Sequence, residues 1–340
     1  MTSNRNFTEA ATYQWTAKSL KSIRESMIEA RVHELLPTIL SEEIEAGGLH
    51  SVAILADTKR MRRPTATNQE TNVTVREDNT YYLPMSHNFE KQQAVEFLTP
   101  NYSIVPCVRP LEVHEWHSNK HLFSFYEVEI EMRSEKQEDA WKIAEKLLAD
   151  VASSLEAAVK RGELPDHENG ARNRNSVLKG KFPAISFAEA LEKVGAAKDR
   201  VTDLTPEEDT LLCRQFETPF WIHDYPRPVR STVFHENDFG RYESFDLMLP
   251  YGYGELATGG VRPKTGEQIL RQSLDVIKEP ASTLTRGHAE WKSSRQIQST
   301  GFGIGLERLI RFMSGTNTIL DIIQPHDRGP NRKLLTKTNK

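Results

Sequence analysis

Gly301-Phe302-Gly303-Ile304-Gly305-Leu306-Glu307-Arg308 is the stretch on which the reading turns. Glycine at every second position strips the side chains from one face of an extended segment, because successive strand residues point to opposite faces. The bare backbone can then receive a flat ligand. Arg308 stands at the start of the helix that LERLIRFMS predicts, where a guanidinium can reach a phosphate. A nucleotide suits such a surface; close packing of another element against a bare strand is the competing reading of the glycines.

Working outward, the surroundings predict helices mixed with a mainly antiparallel sheet, an α+β fold. Leu20, Ile23, Met27, Ile28, Ala30, Leu35 and Leu40 recur at near-helical spacing, so an amphipathic helix is expected from Ala17 to about Glu45, broken at Pro37, and able to carry a subunit contact. Residues 79–83, 102–108 and FSFYEVEIEMR (123–133), with its regularly placed glutamates, read as strands. Gln137 to Arg161 reads as a strong helix with one apolar face, followed by the polar break GELPDHENGARNRNS. Residues 186–196 read as a short helix capped by Ser186 with Glu189 three residues on. PFWIHDYP and YESFDLMLP read as strands, and a further helix is expected between Pro263 and Lys278. There is no internal repeat and no low-complexity segment.

Composition narrows the class. The chain has 340 residues, 37% hydrophobic and 27% charged, enough for one large globular domain or two modest ones. No apolar run approaches the roughly 18–20 residues of a membrane span, and the polar start lacks the regions of a signal peptide, so a cytoplasmic setting is expected. Cys107 and Cys213 are the only cysteines, too far apart in sequence to announce a disulfide framework or a cysteine-based zinc site. A net charge of -4 excludes coating nucleic acid by bulk electrostatics and leaves room only for a local basic groove.

GFGIGLERLI followed by TNTILDIIQPHDR resembles motif 3 and the adjoining segment of the class II aminoacyl-tRNA synthetases, in their aspartyl and asparaginyl branch. That resemblance implies that Gly303 and Gly305 line the ATP site and that Arg308 holds the γ-phosphate. Cys107-Val108-Arg109-Pro110-Leu111-Glu112 with His121 and Phe125 resembles motif 2, which implies that Arg109 grips the α-phosphate and Phe125 stacks on adenine. Either Glu112 or Glu115 takes the place of the glutamate that reads the adenine amine. His114, His117 and His121 share that loop, and a substrate loop accounts for them without a zinc ion. Asp246, Glu255 and Arg262 resemble the strand that holds magnesium and the amino acid, with Glu255 the metal ligand and Asp246 assisting. Leu83 to Gln92 resembles the stretch ending in a substrate-binding lysine, which implies amino-acid contacts from Ser86, Asn88 and Lys91. Lys91 with Arg262 would offer two cations to a side-chain carboxylate and so favours aspartate, while Glu129 stands where asparaginyl enzymes carry a glutamate.

These likenesses imply an enzyme using ATP and Mg²⁺ to activate aspartate, asparagine or a close analogue as an aminoacyl-adenylate. They also imply a homodimer. The organisation expected is a flexible stretch 1–16, one catalytic domain 17–330 and a basic tail 331–340, with no room for an anticodon-binding barrel. On that extent the expected acceptor is ammonia or another small amine. Transfer to tRNA or a carrier protein, and a regulatory paralogue without catalysis, are the alternatives.

Overall fold

The structure is a computed structural model and describes residues 9–41, 53–54, 81–111, 120–230, 234–277 and 281–323. The strands are β1 His33–Glu34, β2 Ala53–Ile54, β3 Tyr81–Tyr82, β4 Asn101–Val108, β5 Ser124–Met132, β6 Ala184–Ser186, β7 Phe220–Pro226, β8 Arg241–Leu249, β9 Gly254–Val261 and β10 Thr300–Gly305. The helices are α1 Glu9–Glu29, α2 Asn88–Ala94, α3 Gln137–Lys160, α4 Gly170–Leu178, α5 Phe187–Lys193, α6 Pro206–Cys213, α7 Gly266–Gln272, α8 Thr283–Arg295 and α9 Leu306–Ser314. Eight strands form one sheet in the order β1-β4-β5-β10-β9-β8-β7-β6, parallel at the two outer pairs and antiparallel between. This is the α+β architecture expected from the sequence.

Strand alternation gives the sheet two unlike faces. Val128, Ile130 and Met132 of β5, Phe302 and Ile304 of β10, and Phe245 and Leu247 of β8 belong to the main core. Ala140, Ala144, Leu147, Leu148, Val151, Ala152, Leu155 and Ala158 of α3 join them there, at spacings that keep one helix face apolar. The opposite face of β5 carries Glu127, Glu129 and Glu131, so one strand has an oily side and a charged side. Ser186 caps α5 in a complete capping box with Glu189, as its sequence predicts.

Three expectations change. α1 begins at Glu9 and ends at Glu29, with Trp15 fully buried, so residues 9–16 belong to the fold and not to a flexible leader. Its stop is Arg31, in the left-handed region at φ 57°, with the Val32 N–H donating back to the Met27 carbonyl at 2.9 Å. Pro37 lies beyond that stop, and Leu36 is 94% exposed, so the apolar spacing past residue 30 does not mark a helix. The polar break after α3 contains α4: Asn173 and Arg174 are buried because they donate to the last carbonyls of α9, at Phe312 (2.9 Å) and Met313 (2.8 Å). A helix whose buried face caps another helix shows no hydrophobic period. No helix among the described residues is long and apolar enough to cross a membrane.

Candidate active site

The charged face of the sheet is a lattice set by register. Asn101, Glu131, Gly301, Gly260 and Ser244 lie across it in one row, and Ser103, Glu129, Gly303, Thr258 and Asp246 in the next. The glycines of β10 divide their work. A Cβ on Gly301 would overlap the Glu131 carboxylate and the Ile130 carbonyl oxygen, so this glycine admits a neighbouring side chain. A Cβ on Gly303 would meet nothing nearer than Glu127 Oε2 at 3.5 Å, and that backbone is open for a ligand.

Each buried carboxylate has a cation. Lys91 Nζ lies 2.6 Å from Glu129 Oε2, while Glu129 Oε1 accepts from Ser86 Oγ at 2.6 Å and from the His87 N–H at 2.8 Å. Burial alone would push Glu129 up, but Lys91 and these two donors outweigh it and hold the carboxyl at about 2. Arg262 forks onto Glu131, with contacts of 2.8, 3.0 and 3.2 Å. Arg109 Nη2 donates to Glu127 Oε2 at 3.0 Å, and its guanidinium lies 5.1 Å from the Phe125 ring centre. Burial raises Glu127 more than Arg109 lowers it. Arg308 Nη1 donates to Glu255 Oε1 at 2.7 Å, and its Nε donates to the Lys120 carbonyl, next to His121, at 3.2 Å.

Ser86, Lys91, Glu129, Arg109, Phe125, Arg262, Gly303, Gly305, Arg308 and Glu255 are thus brought to one face. Two parts of the sequence reading are corrected. Lys91 and Arg262 do not present two unpaired cations, because Glu129 and Glu131 already neutralise them. Asp246 does not present a free metal-binding oxygen: its Oδ2 pairs with Arg230 and accepts from Tyr225 Oη at 2.6 Å, and its Oδ1 accepts from Thr258 at 2.9 Å. Its carboxyl is pushed up to about 6 by burial, against the pull of Arg230 and with the repulsion of Glu255. Asn88, first residue of α2, accepts from Gln92 of its own helix at 3.2 Å and is not among the groups touching Glu129. Glu112, Glu115, His114 and His117 lie outside the described residues.

Glu255 is the carboxylate suited to magnesium. Its Oε2 has no hydrogen-bond partner among the described residues, and Arg308, Arg230 and Lys120 hold the group below its ordinary range in spite of burial. A hard cation prefers such an oxygen together with phosphate oxygens. Cys107, Glu127 and Glu129 also bring ligand atoms within 4.8 Å of one another, but Arg109 and Lys91 already pair the two carboxylates.

Glu127, Glu131, Arg230 and Lys120 were not assigned roles from sequence. The glutamates had a signal, since acids at every second position opposite Val128, Ile130 and Met132 mark a charged sheet face. Arg230 had none, because its partner lies across the sheet.

Residues 52–325 match the family model of tRNA synthetases class II (D, K and N), and the chain belongs to that family. An asparagine–tRNA ligase of Thermococcus gammatolerans is 25% identical over 242 residues, covering 69% of this chain and 54% of the relative. One from Ureaplasma parvum is 27% identical over 228 residues, covering 61% and 49%. The chain spans about half the length of the curated relatives it matches. In fold it resembles asparaginyl-tRNA synthetase from Pyrococcus horikoshii complexed with asparaginyl-adenylate, with a TM-score of 0.77 at 21% identity over 93% of this chain and 68% of that one. Aspartyl-tRNA synthetase from Entamoeba histolytica gives 0.64 at 17%, covering 92% and 57%.

Proposed function

We propose that the chain joins ATP to asparagine or aspartate to form an aminoacyl-adenylate. The observation that carries this reading is the polarity of one sheet face: arginines beside an open glycine backbone at one end, buried ion pairs at the other. The substrate carboxylate oxygen attacks the α-phosphorus, the bond to the bridging oxygen breaks, and pyrophosphate leaves with that electron pair. Arg109 would hold the α-phosphate and Arg308 the γ-phosphate, stabilising charge that grows in the transition state. Phe125 and the Gly303 backbone would enclose adenine. Ser86 and the Lys91–Glu129 pair would orient the amino acid, and Arg262 would face its side chain. Glu255 would hold Mg²⁺, which supplies charge neutralisation on the phosphates. No protein nucleophile is required.

The names of the relatives favour tRNA as acceptor over the small amine expected from the sequence. Exposed Ile28, Leu36, Ile39 and Phe97 support a dimer interface near β1. ATP–pyrophosphate exchange with single amino acids tests adenylation, and exchange with none while ATP binds would sink it in favour of a regulatory paralogue. Transfer of labelled amino acid to tRNA, with ammonia and carrier protein in parallel, then assigns the acceptor.

A further inference from the structure

One residue, His87, holds both members of the Lys91–Glu129 pair. Its N–H donates to Glu129 Oε1 at 2.8 Å, beside the Ser86 hydroxyl that donates to the same oxygen at 2.6 Å. Its carbonyl accepts the Lys91 N–H at 3.2 Å, the bond that opens the first turn of α2. Carboxylate and ammonium are thus set from the two sides of a single residue.

The imidazole anchors that residue from elsewhere in the fold. It is 2% exposed and does not cap α2. Nε2 lies 3.1 Å from the Thr38 backbone nitrogen and 3.3 Å from the Thr38 hydroxyl, and Nδ1 lies 3.1 Å from Ser103 Oγ on β4. A backbone amide can only donate, so Nε2 is the accepting nitrogen, and the ring is assigned neutral with its proton on Nδ1, donating to Ser103. Burial, with Lys91 assisting, lowers the pKa of the ring against the pull of Glu90 and Glu129, which agrees with that assignment. Thr38 belongs to the segment that follows β1 along the sheet edge, where the Leu35 N–H donates to the Tyr102 carbonyl at 2.7 Å. Ser103 is the register partner of Glu129. The ring therefore ties the turn before α2 to the sheet edge on one side and to the row of Glu129 on the other. The phosphate end of the same turn is fixed separately. The Met85 carbonyl that accepts Arg109 Nε at 2.9 Å follows Pro84, whose own carbonyl accepts the Val108 N–H at 3.0 Å.

We propose that His87 is a positioning residue for the amino acid: through its tether to Thr38, the neutral imidazole holds Ser86 and the Lys91–Glu129 pair where the substrate meets them. The inference rests on the adenylation reading for the place of the amino acid. It goes beyond that reading in giving a role to a side chain that acts only through others.

The test is calorimetric titration of the full chain and its variants at neutral pH with L-asparagine and L-aspartate, and separately with β,γ-methylene ATP and Mg²⁺. His87→Ala is expected to weaken binding of the amino acid that the parent takes by at least about fivefold, as the loss of one or two buried hydrogen bonds warrants, with nucleotide affinity within about twofold. His87→Gln can offer an amide oxygen to the Thr38 N–H and is expected to recover to within about threefold of the parent. Thr38→Pro removes the donor from the edge segment and leaves His87 in place, so it decides the matter even where His87→Ala does not fold. It is expected to match His87→Ala, with the double variant within about twofold of either single one. Unchanged amino-acid affinity in Thr38→Pro overturns the proposal. So do additive losses in the double variant, equal weakening of nucleotide and amino acid, or a parent that binds neither amino acid. Pyrophosphate exchange on the same preparations separates the two ideas: amino acid bound without exchange sinks adenylation alone, and exchange in the parent with an unchanged amino-acid KM in Thr38→Pro sinks the tether alone.

Discussion

Cutting the Lys91–Glu129 pair from one side tests how the buried face is held together. Both side chains are almost wholly withdrawn from water and lie 2.6 Å apart. Lys91→Met leaves Glu129 with two neutral donors, Ser86 and the His87 N–H, and breaking one side of such a pair costs about 3–5 kcal/mol. Linkage gives a similar figure. Glu129 is held at about 2 against its ordinary 4.5, which corresponds to about 3 kcal/mol. Because the folded value is the lower one, that stability is complete above about pH 4.5 and is lost as pH falls towards about 2. Urea unfolding of Lys91→Met at pH 7, followed by tryptophan fluorescence, is expected to show the full deficit, shrinking below about pH 4. Lys91→Met combined with Glu129→Gln removes charge and partner together and is expected to lose no more than about 2 kcal/mol, a coupling of at least about 3. Strict additivity, with a double variant losing about 6 kcal/mol or more, would refute the pair as the stabilising unit.

The two glycines of β10 make opposite predictions. Gly301→Ala forces the Glu131 carboxylate aside and is expected to lower stability by about 3 kcal/mol in thermal melts, whereas Gly303→Ala leaves the melt unchanged but raises the ATP KM in pyrophosphate exchange. Equal melts for the two would contradict the division of labour. Trp15→Ala removes a fully buried ring whose Nε1 donates to the Pro165 carbonyl at 3.1 Å, so a loss of about 3–5 kcal/mol is expected; a melting point within about 2 °C of the parent would return α1 to the status of a leader. Arg308→Ala is expected to cut exchange by at least about 100-fold with an unshifted melt, and unchanged exchange would remove Arg308 from the site.

The fold was legible where one period governs an element. β5, α3, β10 and α9 follow from alternation or helical spacing, because each directs its apolar residues into the same main core. α4 and the end of α1 were not legible: one buries polar groups to cap a distant helix, and the other ends on a left-handed arginine that no local pattern announces. At the site, residue types were read more reliably than pairings. Arg308 and Glu255 were each singled out, but their 2.7 Å contact joins residues 53 apart in sequence. Asp246 looked like a metal ligand because an acid in a strand carries no mark of the arginine that will occupy it. The pairing of Glu131 with Arg262, 131 residues on in sequence, escaped notice for the same reason.

The pairs on this face differ in a way that matches their proposed work. Arg109 and Arg308 are 39% and 22% exposed at their side chains, and Glu255 is 37% exposed, so water and salt weaken both bonds at the phosphate end. A triphosphate can compete for Arg308, since the Glu255 carboxylate it displaces remains partly hydrated. Lys91 and Arg262 have no such freedom. Releasing either would strand Glu129 or Glu131 in the protein interior, at a penalty that a single ligand contact does not offset. The amino acid therefore meets a fixed set of donors while the nucleotide meets exchangeable ones. On that account, discrimination among amino acids lies with the fixed, buried pairs and the donors they hold in place.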